Sequence, residues 1–422
     1  MAFRFVHTAD IHLDSPLRSL SLRNADLAAL IGDSTRQALI AIVDLCLEEQ
    51  VDALIIAGDL YDGEQTSMKT ARFLATQLAR LSQAGIAVYK IRGNHDALSK
   101  ITQELVLPEG VKVFGKQAEI VLHTAGGLDI AIHGMSFAKP QAPDSLLPKY
   151  RAPDAGAVNI GIMHTSLAGA PGHDLYAPTS AADLHAAGFD YWALGHIHKR
   201  SQHVGEKTVI MPGMPQGRDI NEAGEKTVSL VTVRDDRSIE VEERLTSLAQ
   251  FERVSVDLGS ADDWRSAMEL IEAGLGQARA STRSPHLVAR LQLTGRTPLA
   301  WKLRRDRDLL LAEIEQRAEG LGQAWIEKIE LSTEAPAATG TTLAADPVSE
   351  LGALMQRDIL PAAATRQDIR QMVEDLRNEL PAEIRGFAGD DAAELDAFVE
   401  RLLADGSQDI LARLRSDSAG HD

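Results

Sequence analysis

Five short stretches place metal-type side chains at the ends of apolar runs. They are Asp10-Ile11-His12, Gly58-Asp59, Gly93-Asn94-His95-Asp96, His164, and Gly195-His196-Ile197-His198. Carboxylate, imidazole and amide donors in one set suit a borderline divalent cation such as Mn²⁺, Fe²⁺ or Zn²⁺. Asp10, His12, Asp59, Asn94, His164, His196 and His198 are too many for one open catalytic ion. They suit two ions bridged by a carboxylate, about 3.5–4 Å apart. Taken singly each stretch has a plain reading: a D-x-H pair is common, and H-x-H or G-N-H-D makes an ordinary polar turn. Repetition at five strand ends is what argues for convergence. His7, His123, His133 and His203 fall outside this pattern and read as strand or surface residues.

Such convergence requires parallel strands, whose carboxyl ends share one edge of a sheet. Residues 3–9, 52–57 and 85–91 read as three buried strands. Helices near 34–50 and 67–84 separate them, giving right-handed β-α-β crossovers. Short strands with turns follow over 111–137. Strands 158–163 and 191–194 then deliver His164 and His196-x-His198, and three more are expected near 208–211, 226–233 and 238–244. The fold class is α/β: a two-sheet sandwich flanked by helices, with a small α+β domain and a helical C-terminal tail.

The chain has 422 residues, 44% of them hydrophobic, enough for two or three domains. We divide it at 1–247, 251–332, a linker over 333–347 rich in Ala, Thr, Pro and Gly, and helices in 348–422. In the middle segment, Thr297-Pro298 predicts one helix running to about Gly320. The tail helices are expected near 347–358, 366–379 and 391–415, the last amphipathic and able to pack on its own chain or on a partner. Cys46, the single cysteine, rules out a disulfide framework and reads as a core residue. The N-terminus begins like a strand without a signal-peptide core, and no apolar run is long enough to span a membrane. A cytoplasmic protein is the expectation. The net charge of −18 argues against broad nucleic-acid binding but not against a nucleic-acid enzyme whose ions supply local positive charge. Residues 344–422 carry 17 Asp and Glu against 8 Lys and Arg, so half the excess acid lies in the last fifth of the chain.

The order Asp10-x-His12, Gly58-Asp59, Gly93-Asn94-His95-Asp96, His164, Gly195-His196-x-His198 resembles the calcineurin-like metallophosphoesterases, over roughly the first 245 residues. His7-Thr8-Ala9-Asp10-Ile11-His12-Leu13-Asp14-Ser15-Pro16, Gly58-Asp59-Leu60-Tyr61-Asp62, Tyr191 to Arg200 and Pro212 to Arg218 are similar to the DNA-repair exonuclease branch, SbcD-like and nearest to YhaO. In that branch a small capping domain follows the phosphoesterase domain, the place of residues 251–332. The resemblance implies that Asp10, His12, Asp59 and His198 hold one metal, that Asp59 bridges, and that Asn94, His164 and His196 complete the second. His95 is then the catalytic acid, not a ligand. Two cations, taken to be Mn²⁺, would polarise a phosphodiester and activate a water. Asp14 and Asp62 are candidates for orienting ligand histidines or capping turns.

The function expected is a metal-dependent DNA nuclease acting in DNA repair, with a coiled-coil ATPase subunit as partner and homodimer formation left open. Arg218, Lys199 and Arg200 are the candidate phosphate contacts, and His173 and Tyr176 candidate cleft residues. Lys302, Arg304, Arg305 and Arg307 either meet phosphates or form a solvated face paired with Asp306 and Asp308. The alternative is a small-molecule or cyclic-nucleotide phosphodiesterase on the same centre. The protein-phosphatase pattern, with Arg after the second Asp of the Gly-Asp motif, is not met, because Gly63-Glu64 follow Asp62.

Overall fold

The computed structural model describes residues 2–15, 25–62, 67–97, 106–125, 127–167, 176–336, 347–380, 382–389 and 391–415. The chain forms two compact units, one of Met1–Glu252 with Thr282–Leu287, the other of Arg253–Ser281 with Val288–Asp422.

The first unit opens with β1 (Phe3–Thr8), α1 (Ala25–Glu48), β2 (Ala53–Ala57), α2 (Met68–Gln83) and β3 (Ala87–Ile91). β4 (Val111–Val113), β5 (Glu119–Ala125), β6 (Leu128–Gly134) and β7 (Val158–His164) follow. Next come α3 (Ala181–Ala186), β8 (Tyr191–Gly195), β9 (Ser201–Val204), β10 (Thr208–Met211), β11 (Thr227–Val233) and β12 (Ile239–Leu245). They build two six-stranded sheets, ordered β12-β11-β1-β2-β3-β4 and β5-β6-β7-β8-β10-β9. β1, β2, β3 and β4 are parallel neighbours, and so are β6, β7 and β8.

Strand periodicity explains the layering. Alternate residues of a strand face opposite sides of its sheet. On β2, Ala53, Ile55 and Ala57 join a core with Phe3, Phe5, Ile130, Ile160 and Tyr191, while Leu54 and Ile56 join Leu39, Val43, Leu74 and Leu78 of the helices. Both faces of the strand are therefore buried, which is why it reads as a continuous apolar run. On the outer face of the second sheet, Trp192 packs with Leu184, Phe189 and Val209. Gly161 makes room for it: a Cβ there would sit 2.3 Å from the indole.

α1 begins at Ala25, nine residues before the expected start. Gly32 and Asp33 look like a break, yet Leu27, Ile31, Ser34, Thr35 and Ala38 continue one buried stripe through them. β9 was not anticipated. Its Gln202-His203 pairing with β10 gives the second sheet its last strand.

His7 is buried between the sheets rather than at a surface. Leu194 O can only accept, so His7 Nε2–H donates to it at 3.0 Å, and Nδ1 accepts from the Tyr191 hydroxyl at 2.9 Å. Burial pushes its pKa down to about 3, from 6.5. The unfolded chain therefore takes up a proton below pH 6.5 that the native state refuses until about pH 3. Nothing is lost above that window, and inside it stability falls as pH falls. Urea unfolding at pH 7, 6 and 5 should give the parent a steeper acid loss than His7→Gln, by ~1.4 kcal/mol per pH unit below the unfolded value. Equal slopes would reject the neutral buried imidazole.

The second unit carries the sheet β13-β14-β15 (Ala249–Asp257, His286–Arg296, Ala324–Glu334) with α4 (Trp264–Ser281) and α6 (Arg307–Leu321). The single helix expected after Thr297 is broken into α5 (Ala300–Arg305) and α6 at Asp306, whose φ −100°, ψ 40° leaves the helical region. The basic cluster there is spent within the unit. Arg305 pairs with Asp306 and stacks on Trp301, Arg304 reaches Asp409 and Leu331 O, and Arg307 donates to Ile329 O. Of the solvated face paired with Asp306 and Asp308, only the Arg305–Asp306 contact is found, and Arg304 and Arg305 are largely buried.

α7 (Pro347–Leu354), α8 (Ala363–Glu379) and α9 (Ala392–Leu414) follow. Val373, Ala388, Leu395 and Val399 form a small core of their own, and α9 packs on α5. Part of the segment read as a linker, residues 337–346, lies outside the described residues. Among the described residues no helix is long and apolar enough to cross a membrane.

Candidate metal centre

The carboxyl ends of β1, β2, β3, β7 and β8 bring Asp10, His12, Asp59, Asn94, His95, His164, His196 and His198 to one edge of the first unit. The loops are tied to each other: Asp10 N donates to Gly58 O at 3.1 Å, His12 N to Asp59 O at 3.1 Å and Leu13 N to Leu60 O at 2.9 Å. His196 N donates to both oxygens of Asp10, at 3.1 and 2.9 Å. Asp10, His12, Asp59 and His196 have φ of 52°, 46°, 49° and 107°. Left-handed backbone at four non-glycine residues in one site is strain held by the surrounding fold.

Glycines keep the loops close. A Cβ at Gly93 would lie 2.3 Å from Asp59 Oδ1 and 2.6 Å from His164 Nε2. A Cβ at Gly195 would lie 2.1 Å from Ala57 O. Asp96, fully buried, accepts from Gly93 N at 2.6 Å and Leu60 N at 3.3 Å, which fastens the β3 loop to the β2 loop. Burial raises its pKa to about 6, with Lys90 opposing.

Two groups of ligand atoms result, Asp10 with His12 and His198, and Asp59 with His164 and His196. In the first group the rings have no proton left to satisfy one another. His12 Nδ1–H is given to Asp62 at 2.7 Å and His198 Nδ1–H to Glu222 at 2.9 Å. Their Nε2 lone pairs then face each other across 3.2 Å. His164 Nδ1–H is given to Ala57 O at 2.9 Å, so its Nε2 is turned to Asn94 Oδ1 at 3.0 Å and Asp59 Oδ2 at 3.2 Å. Acceptors turned on acceptors, as at His12 and His198, call for a cation between them. At His164 burial alone would lower the pKa, but Asp59 outweighs it and lifts it to about 9, so Nε2 draws positive charge to itself, a proton or a metal ion. Burial raises Asp10, while His164 outweighs burial at Asp59 and holds it well below the usual carboxylate range. The residues present fit two divalent ions. A third group, His12, Asp62 and His95, is the hydrogen-bonded surround of His12.

A family model for calcineurin-like phosphoesterases matches residues 3–200, and one for the middle domain of metallophosphoesterase YhaO matches residues 251–334. The uncharacterized metallophosphoesterase YhaO of Bacillus subtilis is 34% identical over 338 residues, 78% of this chain and 82% of its own. The chain belongs to the calcineurin-like metallophosphoesterases. DNA double-strand break repair protein Mre11 of Methanopyrus kandleri is 26% identical over 50% of this chain and 49% of its own. The SbcD component of the nuclease SbcCD of Rhodobacter capsulatus is 34% identical over 31% of this chain and 30% of its own. Calcineurin-like phosphoesterases use a dinuclear divalent metal site, and this chain supplies the donor groups for one.

The other sequence candidates of this metallophosphoesterase fare differently. Asp62 does orient His12, whereas Asp14 is taken by Arg36 and Thr70. Tyr176 stands with its ring 5.1 Å from His196. His173 lies outside the described residues. Lys199 is exposed. Arg200 is directed to Ser229 and Glu243 at the sheet edge, so it is not held ready for a phosphate.

Arg218 is engaged as well. It donates to Glu222 Oε1 at 2.6 Å, lies 4.0 Å from Asp62 and reaches Ser15 Oγ at 3.3 Å. One guanidinium thus ties together the two carboxylates that orient His12 and His198. Glu222 is the residue that sequence reading missed. It sits in a short turn (Ile220–Glu222) far from any strand end, and only its side-chain contact with His198 gives it away. Glu222→Ala should weaken Mn²⁺ binding by ~10–100-fold, since orienting partners of ligand histidines carry about that much affinity. Calorimetric Mn²⁺ titration of the variant beside the parent checks it, and unchanged affinity would remove Glu222 from the centre.

Proposed function

We propose that the protein is a Mn²⁺-dependent DNA nuclease that hydrolyses phosphodiester bonds in DNA repair, in the cytoplasm and beside a coiled-coil ATPase subunit. The observation that carries the hydrolytic part is the convergence of two donor clusters, with the Nε2 atoms of His12 and His198 turned on each other and His95 beside them and outside both. In this reading Asp10, His12, Asp59 and His198 would hold one ion and Asn94, His164 and His196 the other, with Asp59 serving both. Two such ions would supply Lewis-acid charge for a phosphodiester and a water activated at neutral pH.

The chain's own residues do the rest. Asp62 and Glu222 fix the tautomers of His12 and His198 so that each presents Nε2. Asp96 keeps the Asn94-His95 loop in register with Asp59, whose Oδ1 also accepts from His95 N at 3.0 Å. The His95 side chain is 48% exposed, and its Nδ1 lies 3.4 Å from Asp62. That leaves Nε2 to hydrogen-bond a phosphoryl oxygen and hand a proton to the departing sugar oxygen.

The nuclease part is supported by the likeness to the SbcCD nuclease and to the Mre11 break-repair protein, and by the middle domain after the phosphoesterase domain. A panel of single- and double-stranded DNA, a cyclic nucleotide and a phosphopeptide, each with Mn²⁺, tests it. Cleavage of DNA is expected. Turnover of only the last two would replace the nuclease with the small-molecule or phosphoprotein reading.

A further inference from the structure

We propose that a small cavity beside His164 is a subsite for a nucleotide flanking the cleaved bond, an inference that rests on the nuclease reading above. The cavity has a volume of about 190 Å³, and its wall includes Phe137, Leu146, Lys116, Lys139, Lys149 and Asp144. Pockets that enclose a whole small molecule run to ~300–1,000 Å³, so this one takes a single unit of a longer ligand.

Its position links it to the metal centre. The Phe137 ring meets the His164 ring edge-on with centroids 5.5 Å apart, so one residue both lines the cavity and touches a candidate ligand. Phe137 N donates to Arg92 O, and Arg92 N donates to Ser136 Oγ, both at 3.0 Å. The cavity wall and the Gly93-Asn94-His95 loop are therefore one hydrogen-bonded piece.

Its cations are engaged differently from a set of others in the unit. Arg4, Arg36, Arg80, Lys112, Lys207, Arg234 and Arg244 all hold a carboxylate. Lys116, Lys139 and Lys149 are exposed and hold none among the described residues. Glu119, near Lys116 in sequence, is taken by Lys112 and Gly115 N. Arg92, on the way to the metal loop, has its Nε buried without a hydrogen-bond partner among the described residues. Among the described residues Asp144 is the one carboxylate on the cavity wall. In a chain of net charge −18, three ammonium groups around one cavity are a local reversal of sign, and its wall mixes apolar groups such as Phe137 and Leu146 with the polar Ser136 and Gln141. Cations for the backbone beside apolar groups for the base are how single strands are held.

The test uses the full-length chain with Mn²⁺ and two substrates. One is a fluorescent single-stranded oligonucleotide. The other is bis(p-nitrophenyl) phosphate, a phosphodiester with no flanking nucleotide. Replacing Lys116, Lys139 and Lys149 together by alanine should lower the ratio of kcat/KM on the oligonucleotide to that on the small diester at least tenfold. The slope of log affinity for the oligonucleotide against log salt should shrink by about 2, because each single-strand phosphate contact contributes ~0.7. The triple arginine variant should keep the parental ratio, which separates loss of charge from loss of fold. An alanine variant with parental ratio and slope overturns the subsite and leaves the nuclease reading standing. A parent that hydrolyses the small diester but no oligonucleotide overturns the nuclease reading itself, and the subsite with it.

Discussion

Asp59→Asn is expected to lower kcat/KM for phosphodiester hydrolysis by on the order of 10³-fold or more, because Lewis-acid stabilisation is worth several kcal/mol and each ~1.4 kcal/mol is tenfold. Asp59 is buried, and its two oxygens face different neighbours, Oδ1 the His95 N–H and Oδ2 the His164 Nε2. The amide keeps the shape but removes the negative charge and turns one oxygen into a donor. That donor would point at a metal or at an N–H. The variant should bind fewer than two ions per chain while its circular dichroism stays parental. Two tightly held ions in an inactive Asp59→Asn would show that the residue does not bridge.

His95→Ala separates chemistry from metal binding. We expect kcat to fall by ~10²–10⁴-fold, the usual contribution of a positioned acid, with two ions still bound. His95 lies within 5.1 Å of the His12 ring yet belongs to neither ligand cluster, and half its side chain is open to solvent. A cleavable diester with a good leaving group, p-nitrophenolate, needs little proton donation, so the loss should be much smaller there than on DNA. Equal losses on both would mean that His95 acts on the phosphoryl oxygens alone. Loss of an ion would make it a ligand.

The two variants turn on a division that the sequence already displays. Asn94 and His95 are adjacent, and the turn that ends β3 sends Asn94 toward His164 Nε2 and leaves His95 outside. The strand ends were legible because buried parallel strands are short apolar runs and polar residues at their carboxyl ends stand out. The two sheets and the parallel core of the fold came from the same signal. Less legible were features set by side-chain direction across long sequence gaps. Glu222 contacts His198 from a turn with no periodicity, and Arg218, read as a phosphate contact, proves to clasp Glu222. Arg200 shares a motif with His198 but faces the other way, toward Ser229 and Glu243.

Local breaks misled in both directions. The first helix was expected from about Ser34, yet burial of Leu27 and Ile31 carries α1 back to Ala25 through Gly32-Asp33. Asp306 looked like an interior helix residue, yet the chain leaves the helical region there. The amphipathic tail left two readings open. In the structure α9 covers part of its apolar face on α5 and α8, within its own unit.

The function proposed for this centre requires two ions acting together. Metal-free protein should be titrated with Mn²⁺ while bound metal and bis(p-nitrophenyl) phosphate hydrolysis are followed in the same samples. The prediction is two ions per chain, with activity absent at one ion and appearing with the second. Full activity at one ion per chain, or full hydrolysis in the metal-free protein, would contradict it.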